Sequence, residues 1–297
     1  MSATALGLVL AAALCHAVWN LIAKKIGAGQ HYVLLGAILV TILWAPLVVW
    51  VGVGAVAAWG GVEWLVLLAS AVIHLVYLST LLHGYRVADL TVVYPVARGS
   101  GPLLSSLGAV LLLGETLSLV SAAGALAVVC GVFLIAGGPG LWRKAGDAGA
   151  DPARRLRVRR GVLWGALTGL FIAGYSVIDG YAVKVLLLSP ILVDYVGNAL
   201  RVPVMLPLAL RDPTGFAQAC RTQWRAAVVT AVLGPLSYVM VLYAVTLAPL
   251  SHVAPAREVS MLFAALLGGQ LLGEGDRWLR LLGAACIVAG VIGLALG

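Results

Sequence analysis

The chain has few charged residues. Only 10% of its 297 residues are Asp, Glu, Lys or Arg, whereas 62% are hydrophobic and the mean hydropathy is +1.07. A water-soluble domain carries charge on about 25% of its residues, so this composition excludes a soluble globular enzyme. The sequence also lacks the alternating polarity, in segments of about ten residues, that a transmembrane β-barrel needs. The long apolar runs are typical of membrane-spanning helices.

Familiar catalytic motifs are missing as well. The sequence has no glycine-rich phosphate loop followed by Lys and Ser or Thr, no His-Glu-x-x-His helix and no Gly-x-Ser-x-Gly turn. We therefore expect no catalytic residue, no metal and no cofactor, and energy for uphill movement would have to come from a gradient. The cysteines show no pair spacing and are interpreted as small packing residues; they are Cys15, Cys130, Cys220 and Cys286.

Ten apolar runs have the length of a membrane span. They cover residues 4–23, 31–53, 63–82, 90–113, 118–136, 161–183, 189–210, 226–247, 250–272 and 278–296. The longest polar interruption separates the fifth run from the sixth. We therefore predict a first five-helix repeat at 1–136, a basic linker at 137–160 and a second five-helix repeat at 161–297.

The two halves share short motifs at a constant spacing. Ala97-Arg98 recurs as Ala256-Arg257, Gly114-Glu115 as Gly273-Glu274, and Gly124 and Gly131 as Gly283 and Gly290, each 159 residues later. Because each repeat has an odd number of spans, the second must enter the membrane from the side opposite to the first. The predicted fold is thus an all-α integral membrane protein of ten transmembrane helices, arranged as two inverted five-helix repeats. Inverted repeats place a site near the midplane and permit alternating access.

Basic residues are distributed unequally between the two sides of the membrane. Fifteen of the 19 Lys and Arg residues fall in odd-numbered connections, and the even-numbered connections hold only Lys184. The positive-inside rule then predicts a cytoplasmic linker and external termini. The net charge of +8 lies beside spans, so membrane lipids and not nucleic acid are its expected partner. The oligomeric state stays open, a homodimer included.

Two arginines lie inside apolar runs at equivalent positions. Arg98 is roughly 10 Å below the start of its span by helical rise, and Arg257 occupies the same place in the second half. An arginine at depth costs about 2.5 to 3.5 kcal/mol, so each should face a cavity or a partner. Two interpretations stay open: binding of an anionic solute group, or internal ion pairs with Glu258, Asp179 or Asp194.

Other polar residues group around these arginines. His16, Asn20 and Lys24 form one stripe of the first span, with Trp19 beside them, and prolines predict kinks in the fourth and ninth spans. Asp179 is either a proton carrier or an ion-pair partner of Arg98. The candidate solute-binding residues are Arg98, Arg257, His16, Trp19, Asn20, Tyr94, Asp179, Glu258 and Tyr175.

A further polar face lies on the seventh span. Asp194, Asn198 and Arg201 follow helical spacing there and face either the bundle interior or the membrane boundary. Several tyrosines and histidines are either cavity-lining residues or interface anchors; they are Tyr77, Tyr85, Tyr238, Tyr243, His74 and His252.

The duplicated five-span unit resembles the drug/metabolite transporter superfamily, and within it the ten-span EamA-type transporters. The resemblance rests on Leu113-Gly114-Glu115 and Leu272-Gly273-Glu274, on the lysines that end spans one and six, and on Ala248-Pro249 and Ala254-Pro255. It implies a carrier of the bacterial inner membrane for small metabolites, amino acids or toxic analogues, with protons as coupling ion in some relatives. Such carriers are described with cytoplasmic termini, opposite to the loop count.

The expected function is a secondary transporter that moves amino-acid-like or other anionic or zwitterionic solutes by alternating access. Two alternatives stay open. A membrane-embedded sensor or assembly protein would bind without flux, and an enzyme acting on a lipid-linked substrate would need a nucleophile or metal cluster at one interface.

Overall fold

The computed structural model describes residues 1–27, 29–136, 138, 152–267 and 277–297, and those ranges contain helices but no strand. The helices are α1 Ala3–Lys25, α2 Gln30–Ala57, α3 Gly61–Val87, α4 Leu90–Leu113, α5 Leu119–Ile135, α6 Pro152–Lys184, α7 Pro190–Arg211, α8 Pro213–Leu247, α9 Leu250–Ala256, α10 Val259–Leu267 and α11 Arg277–Leu296. Eight helices of this part of the chain are long and apolar enough to cross a membrane. The all-helical membrane class is therefore confirmed.

The predicted count of ten spans is not confirmed. The fifth run forms α5, which has only 17 residues, and the described part of the ninth run is divided between α9 and α10. The second Leu-Gly-Glu motif, Leu272-Gly273-Glu274, lies outside the described residues. The ten-span count and the inverted arrangement therefore stay predictions.

Two helices begin earlier than the hydropathy of the sequence indicates. Helix α6 starts at Pro152, so the last nine residues of the predicted linker, 152–160, are helical. Helix α8 starts at Pro213, before its apolar run, and has 35 residues. Hydropathy marks only the part of a helix that suits lipid, whereas proline at the first helical position sets the true start.

Prolines inside the helices have different consequences. Helix α4 continues through Pro95 and Pro102, whereas the ninth span breaks between α9 and α10 at Arg257 and Glu258. Proline has no N–H, so it leaves the carbonyl four residues earlier without its helical donor.

Two of these carbonyls find donors on other helices. The Ser251 carbonyl, released by Pro255, accepts from Ser106 Oγ at 2.9 Å. The Ala231 carbonyl, released by Pro235, accepts from Trp44 Nε1 at 3.0 Å. Side chains of neighbouring helices thus satisfy polar groups that lipid could not satisfy.

Helices α5 and α11 cross at four glycines. A Cβ atom at Gly124 would lie 2.7 Å from the Gly290 carbonyl oxygen, and one at Gly283 would lie 2.8 Å from that of Gly131. Contacts this close need small residues, which is how membrane helices commonly pack. Because the residue numbers rise along α5 as they fall along α11, the two helices are antiparallel.

The helices that carry the candidate site pack in a reciprocal pattern. Helix α1 packs against α8 and α10, and α6 packs against α3 and α4. In the sequence repeat α1 corresponds to α6, α3 to α8, and α4 to the α9–α10 segment. The packing of α1 against α8 and α10 is therefore repeated by the packing of α6 against α3 and α4. The polar side chains of α1, α4, α6 and the α9–α10 segment meet inside the bundle.

Candidate solute-binding site

Arg98 and Glu258 form a buried ion pair between α4 and the break after α9. Arg98 Nη1 lies 3.2 Å from Glu258 Oε1, and the two side chains are 13% and 1% exposed. Arg98 Nη2 lies 2.7 Å from His16 Nε2, and the guanidinium stands over the Tyr94 ring at 5.6 Å from its centroid. Since a guanidinium can only donate, His16 Nε2 accepts, and its ring carries its proton on Nδ1. We call Arg98, Glu258, His16 and Tyr94 the central cluster.

Three buried polar atoms beside the central cluster have no hydrogen-bond partner among the described residues. They are Trp19 Nε1, Arg257 Nε and Glu258 Oε2. Arg257 does interact electrostatically with Tyr175. An unpartnered buried polar group costs about 1 to 3 kcal/mol, so such groups are expected where a ligand completes the hydrogen bonding.

Asp179 lies in a second group of polar residues and is completely buried. The Ser70 hydroxyl donates to Asp179 Oδ1, and the Tyr238 hydroxyl donates to Oδ2. His74 bonds to Ser70 and stacks on Tyr175 with ring centroids 3.9 Å apart. Tyr175 therefore connects this group to Arg257, and two hydroxyls, not Arg98, hold the Asp179 carboxylate.

Residues 159–296 match the family model of the EamA-like transporter family. This segment, the second half of the chain, is similar to the EamA-like transporters. This confirms the resemblance noted in the sequence and indicates a membrane transporter of small solutes, in keeping with its apolar helices. The family consists of transporters and not enzymes, which agrees with a non-enzymatic role.

Solved structures share the fold of this chain. One, described only as the crystal structure of a protein, has a TM-score of 0.74 at 18% sequence identity, and the match covers 100% of this chain and 98% of that chain. At this identity the likeness establishes the fold alone. A comparison with curated protein sequences gives no significant match.

The structure brings most of the sequence-predicted site residues together. Trp19 packs edge-on against His16, with ring centroids 5.1 Å apart. Asn20 behaves differently, since its Nδ2 donates to the His16 carbonyl of its own helix at 2.8 Å. Among the predicted ion-pair partners of Arg98, Glu258 is the one in contact with it, and Arg257 Nε has no hydrogen-bond partner among the described residues.

Sequence reasoning missed the part that Ser70 plays. Ser70, His74 and Tyr77 follow helical spacing on α3, and this pattern could have revealed the face of α3 that reaches Asp179. A serine carries little signal in an apolar run, because its hydroxyl can bond to its own helix.

The polar face of α7 forms a connected row. Asn198 Nδ2 donates to Asp194 Oδ2 at 3.1 Å, and Arg201 Nη1 donates to Asn198 Oδ1 at 3.2 Å. Arg201 also interacts electrostatically with Asp179, so this face points into the bundle. Among the residues that the structure describes, no group of three His, Cys, Asp or Glu side chains could hold a metal ion.

Proposed function

We propose that this EamA-like protein is a secondary transporter that carries small zwitterionic or anionic solutes, amino acids among them, by alternating access. The observation that carries the proposal is the buried Arg98–Glu258 ion pair with Arg257 beside it, on helices otherwise suited to lipid. Charged groups inside a membrane protein are costly and typically mark a solute or ion pathway.

The unpartnered atoms of the site favour a zwitterion over a simple anion. Arg257 Nε and Trp19 Nε1 are donors that suit a carboxylate, and Glu258 Oε2 is an acceptor that suits an ammonium group. An anion without an ammonium group would leave that oxygen unpaired and would face the negative charge of Glu258. An α-amino acid supplies both partners.

Alternating access needs two equivalent arrangements of one scaffold, which inverted repeats provide. The antiparallel crossing of α5 and α11 supports this arrangement. Gly124 contacts Gly290, which the sequence repeat relates to Gly131. Gly131 contacts Gly283, which the repeat relates to Gly124. A two-fold axis perpendicular to both helices produces such a contact, and that axis lies in the membrane plane.

Asp179 is our candidate for the proton carrier. Its carboxylate is fully buried and linked through Ser70 and His74 to Tyr175, which contacts Arg257. A proton bound there would change the charge near the solute site without occupying it. We place the protein in the bacterial inner membrane, where a proton gradient is present, as the family resemblance implies.

Uptake into liposomes tests the proposal directly. Purified protein should take up a radiolabelled amino acid saturably, and Arg98→Ala should abolish uptake while the protein remains monodisperse. Arg86→Ala is the matched control, because Arg86 is an exposed arginine at the end of α3. Unchanged uptake by Arg98→Ala would remove Arg98 from the site, and binding without any flux would favour the sensor alternative.

A further inference from the structure

Glu115 connects three parts of the chain at one end of the helix bundle. It follows α4, and its Oε1 accepts from Lys184 Nζ at 2.6 Å and from the Leu250 N–H at 2.7 Å. Its Oε2 accepts from the Ser251 N–H at 2.9 Å. We call Glu115, Lys184, Leu250 and Ser251 the Glu115 clamp. Through it a residue of the first half fixes the end of α6 and the beginning of α9.

The Glu115 clamp is sheltered from solvent and reinforced by its neighbours. The Glu115 side chain is 8% exposed and that of Lys184 is 25% exposed. Next to it, Ser106 Oγ donates to the Ser251 carbonyl at 2.9 Å, and His252 Nδ1 bonds to the Leu294 carbonyl at 3.1 Å. These contacts join α4, α9 and α11, so this end of the bundle is tied together by polar bonds between both halves.

The opposite end of the bundle differs. Lys24 is the repeat equivalent of Lys184, but it is exposed and forms no ion pair with any carboxylate that the structure describes. The Asp89 side chain, which precedes α4, makes no capping hydrogen bond to that helix. The two ends of the bundle are therefore held to different degrees.

We infer that the Glu115 clamp is a gate, and that it must open before a solute in the central cluster can leave on this side of the membrane. The inference rests on the proposed function, because alternating access requires one end to close while the other opens. Helix α9 is the mechanical link: Glu115 holds its first residues, and Arg257 and Glu258 follow its last residue. Release of Glu115 frees the segment that carries both site residues.

Cysteine labelling tests the gate without measuring transport. In a variant whose four native cysteines are replaced by alanine, Ser106→Cys reports access to the space beneath α9, because Ser106 is 4% exposed and bonds to Ser251. A membrane-impermeant maleimide, applied from the side of Glu115, should label this cysteine slowly. Glu115→Gln and Lys184→Met should each raise the labelling rate about tenfold, because each loses a charge-assisted bond that favours the closed population.

Glu63→Gln is the matched control. Glu63 stands near the same end of the bundle and accepts only from the Gly60 N–H of its own helix start, so its loss should leave the labelling rate unchanged. An unchanged rate in Lys184→Met, which keeps both backbone bonds of Glu115, would overturn the gate even if Glu115→Gln failed to fold. The labelling rate does not depend on solute movement. Absence of transport by the wild-type protein would therefore count against the proposed function, while the labelling rates would still test the gate.

Discussion

Arg98 and Glu258 are bonded at 3.2 Å although 160 positions separate them in the sequence. Arg98 lies within an unbroken helix of the first half, and Glu258 lies at a helix break of the second half. The ion pair thus joins a continuous helix to a break between two helices. Because both side chains are buried, removal of either would leave the other as an uncompensated buried charge.

The first prediction concerns stability. Glu258→Gln should lower the free energy of unfolding by about 3 to 5 kcal/mol, because it leaves the buried Arg98 charge uncompensated. The double variant Arg98→Gln with Glu258→Gln should recover part of this loss, since no lone charge remains. Thermal unfolding in detergent, followed by loss of monodisperse protein, measures both. Equal losses in the single and double variants would contradict a coupled pair.

The second prediction concerns solute choice. The wild-type protein should bind an α-amino acid better than its N-acetyl derivative or its methyl ester, because only the zwitterion satisfies both Arg257 and Glu258. Glu258→Gln should reduce the preference over the N-acetyl form about tenfold, as expected for the loss of a charge-assisted bond. Competition for binding by the purified protein measures these ratios. A preference for the methyl ester would refute carboxylate recognition.

The third prediction concerns the glycine crossing. Gly124→Ala should destabilise the protein by about 1 to 3 kcal/mol, because the added Cβ meets backbone atoms of α11 that cannot rotate away. Gly7→Ala introduces the same group where nothing lies within 4 Å, and it should be neutral or stabilising. Parallel unfolding curves compare the two variants, and equal behaviour would mean that α5 and α11 can separate at no cost.

The fourth prediction concerns the Asp179 group. Tyr238→Phe removes a hydroxyl that donates to the buried Asp179 carboxylate, so it should impair proton-driven uptake and cost about 1 to 3 kcal/mol of stability. Tyr243→Phe lies on the same helix at a half-exposed position, where the structure gives the phenol hydroxyl no partner among the described residues, and serves as the control. If both variants transport alike, the Asp179 bond has no part in the cycle.

The fifth prediction concerns pH. Burial opposes ionisation of Glu115, but the hydrogen bonds from Lys184, Ser251 and Leu250 outweigh it and lower the pKa of this carboxyl below its ordinary value of 4.5. A lowered folded-state pKa means that the clamp stabilises the protein above pH 4.5 and that this contribution is lost as pH falls through the lower folded value. Because only the thiolate reacts, the labelling rate of Ser106→Cys is divided at each pH by that of a free thiol; this ratio should be constant near neutral pH and rise in acid.

Glu115→Gln tests the origin of this acid response. Its labelling rate should be fast already at neutral pH and should not accelerate further in acid, because the titrating group is gone. Acid acceleration of the same size in Glu115→Gln would assign the effect to another carboxyl.

Much of the fold could be predicted from composition and run length. The helical membrane class follows from the near absence of charge, and Arg98 and Arg257 stand out because arginine in an apolar run needs a partner. The recurring glycines indicated the repeat, and the structure places Gly124 and Gly131 opposite Gly290 and Gly283. Such features are visible because each residue type is rare or costly in its setting.

The partners of these residues were harder to predict. Nothing in the sequence chooses among Glu258, Asp179 and Asp194 as the partner of Arg98, because the choice depends on how helices from different halves pack. Ser70 gave little signal by itself, since a lone serine can bond to its own helix, and only its helical spacing with His74 and Tyr77 could have revealed it. The starts of α6 and α8 were missed because polar turns that precede a span can be helical without being apolar.

The break after α9 has a consequence for how variants of this protein should be interpreted. Arg257 and Glu258 form the break between α9 and α10, and they are also the groups that we propose bind the solute. Affinity and turnover are then governed by the same two residues, so replacing either should alter both kinetic constants together. A change in turnover alone is expected only from residues that shape the bend without reaching the solute, of which Pro255 is one.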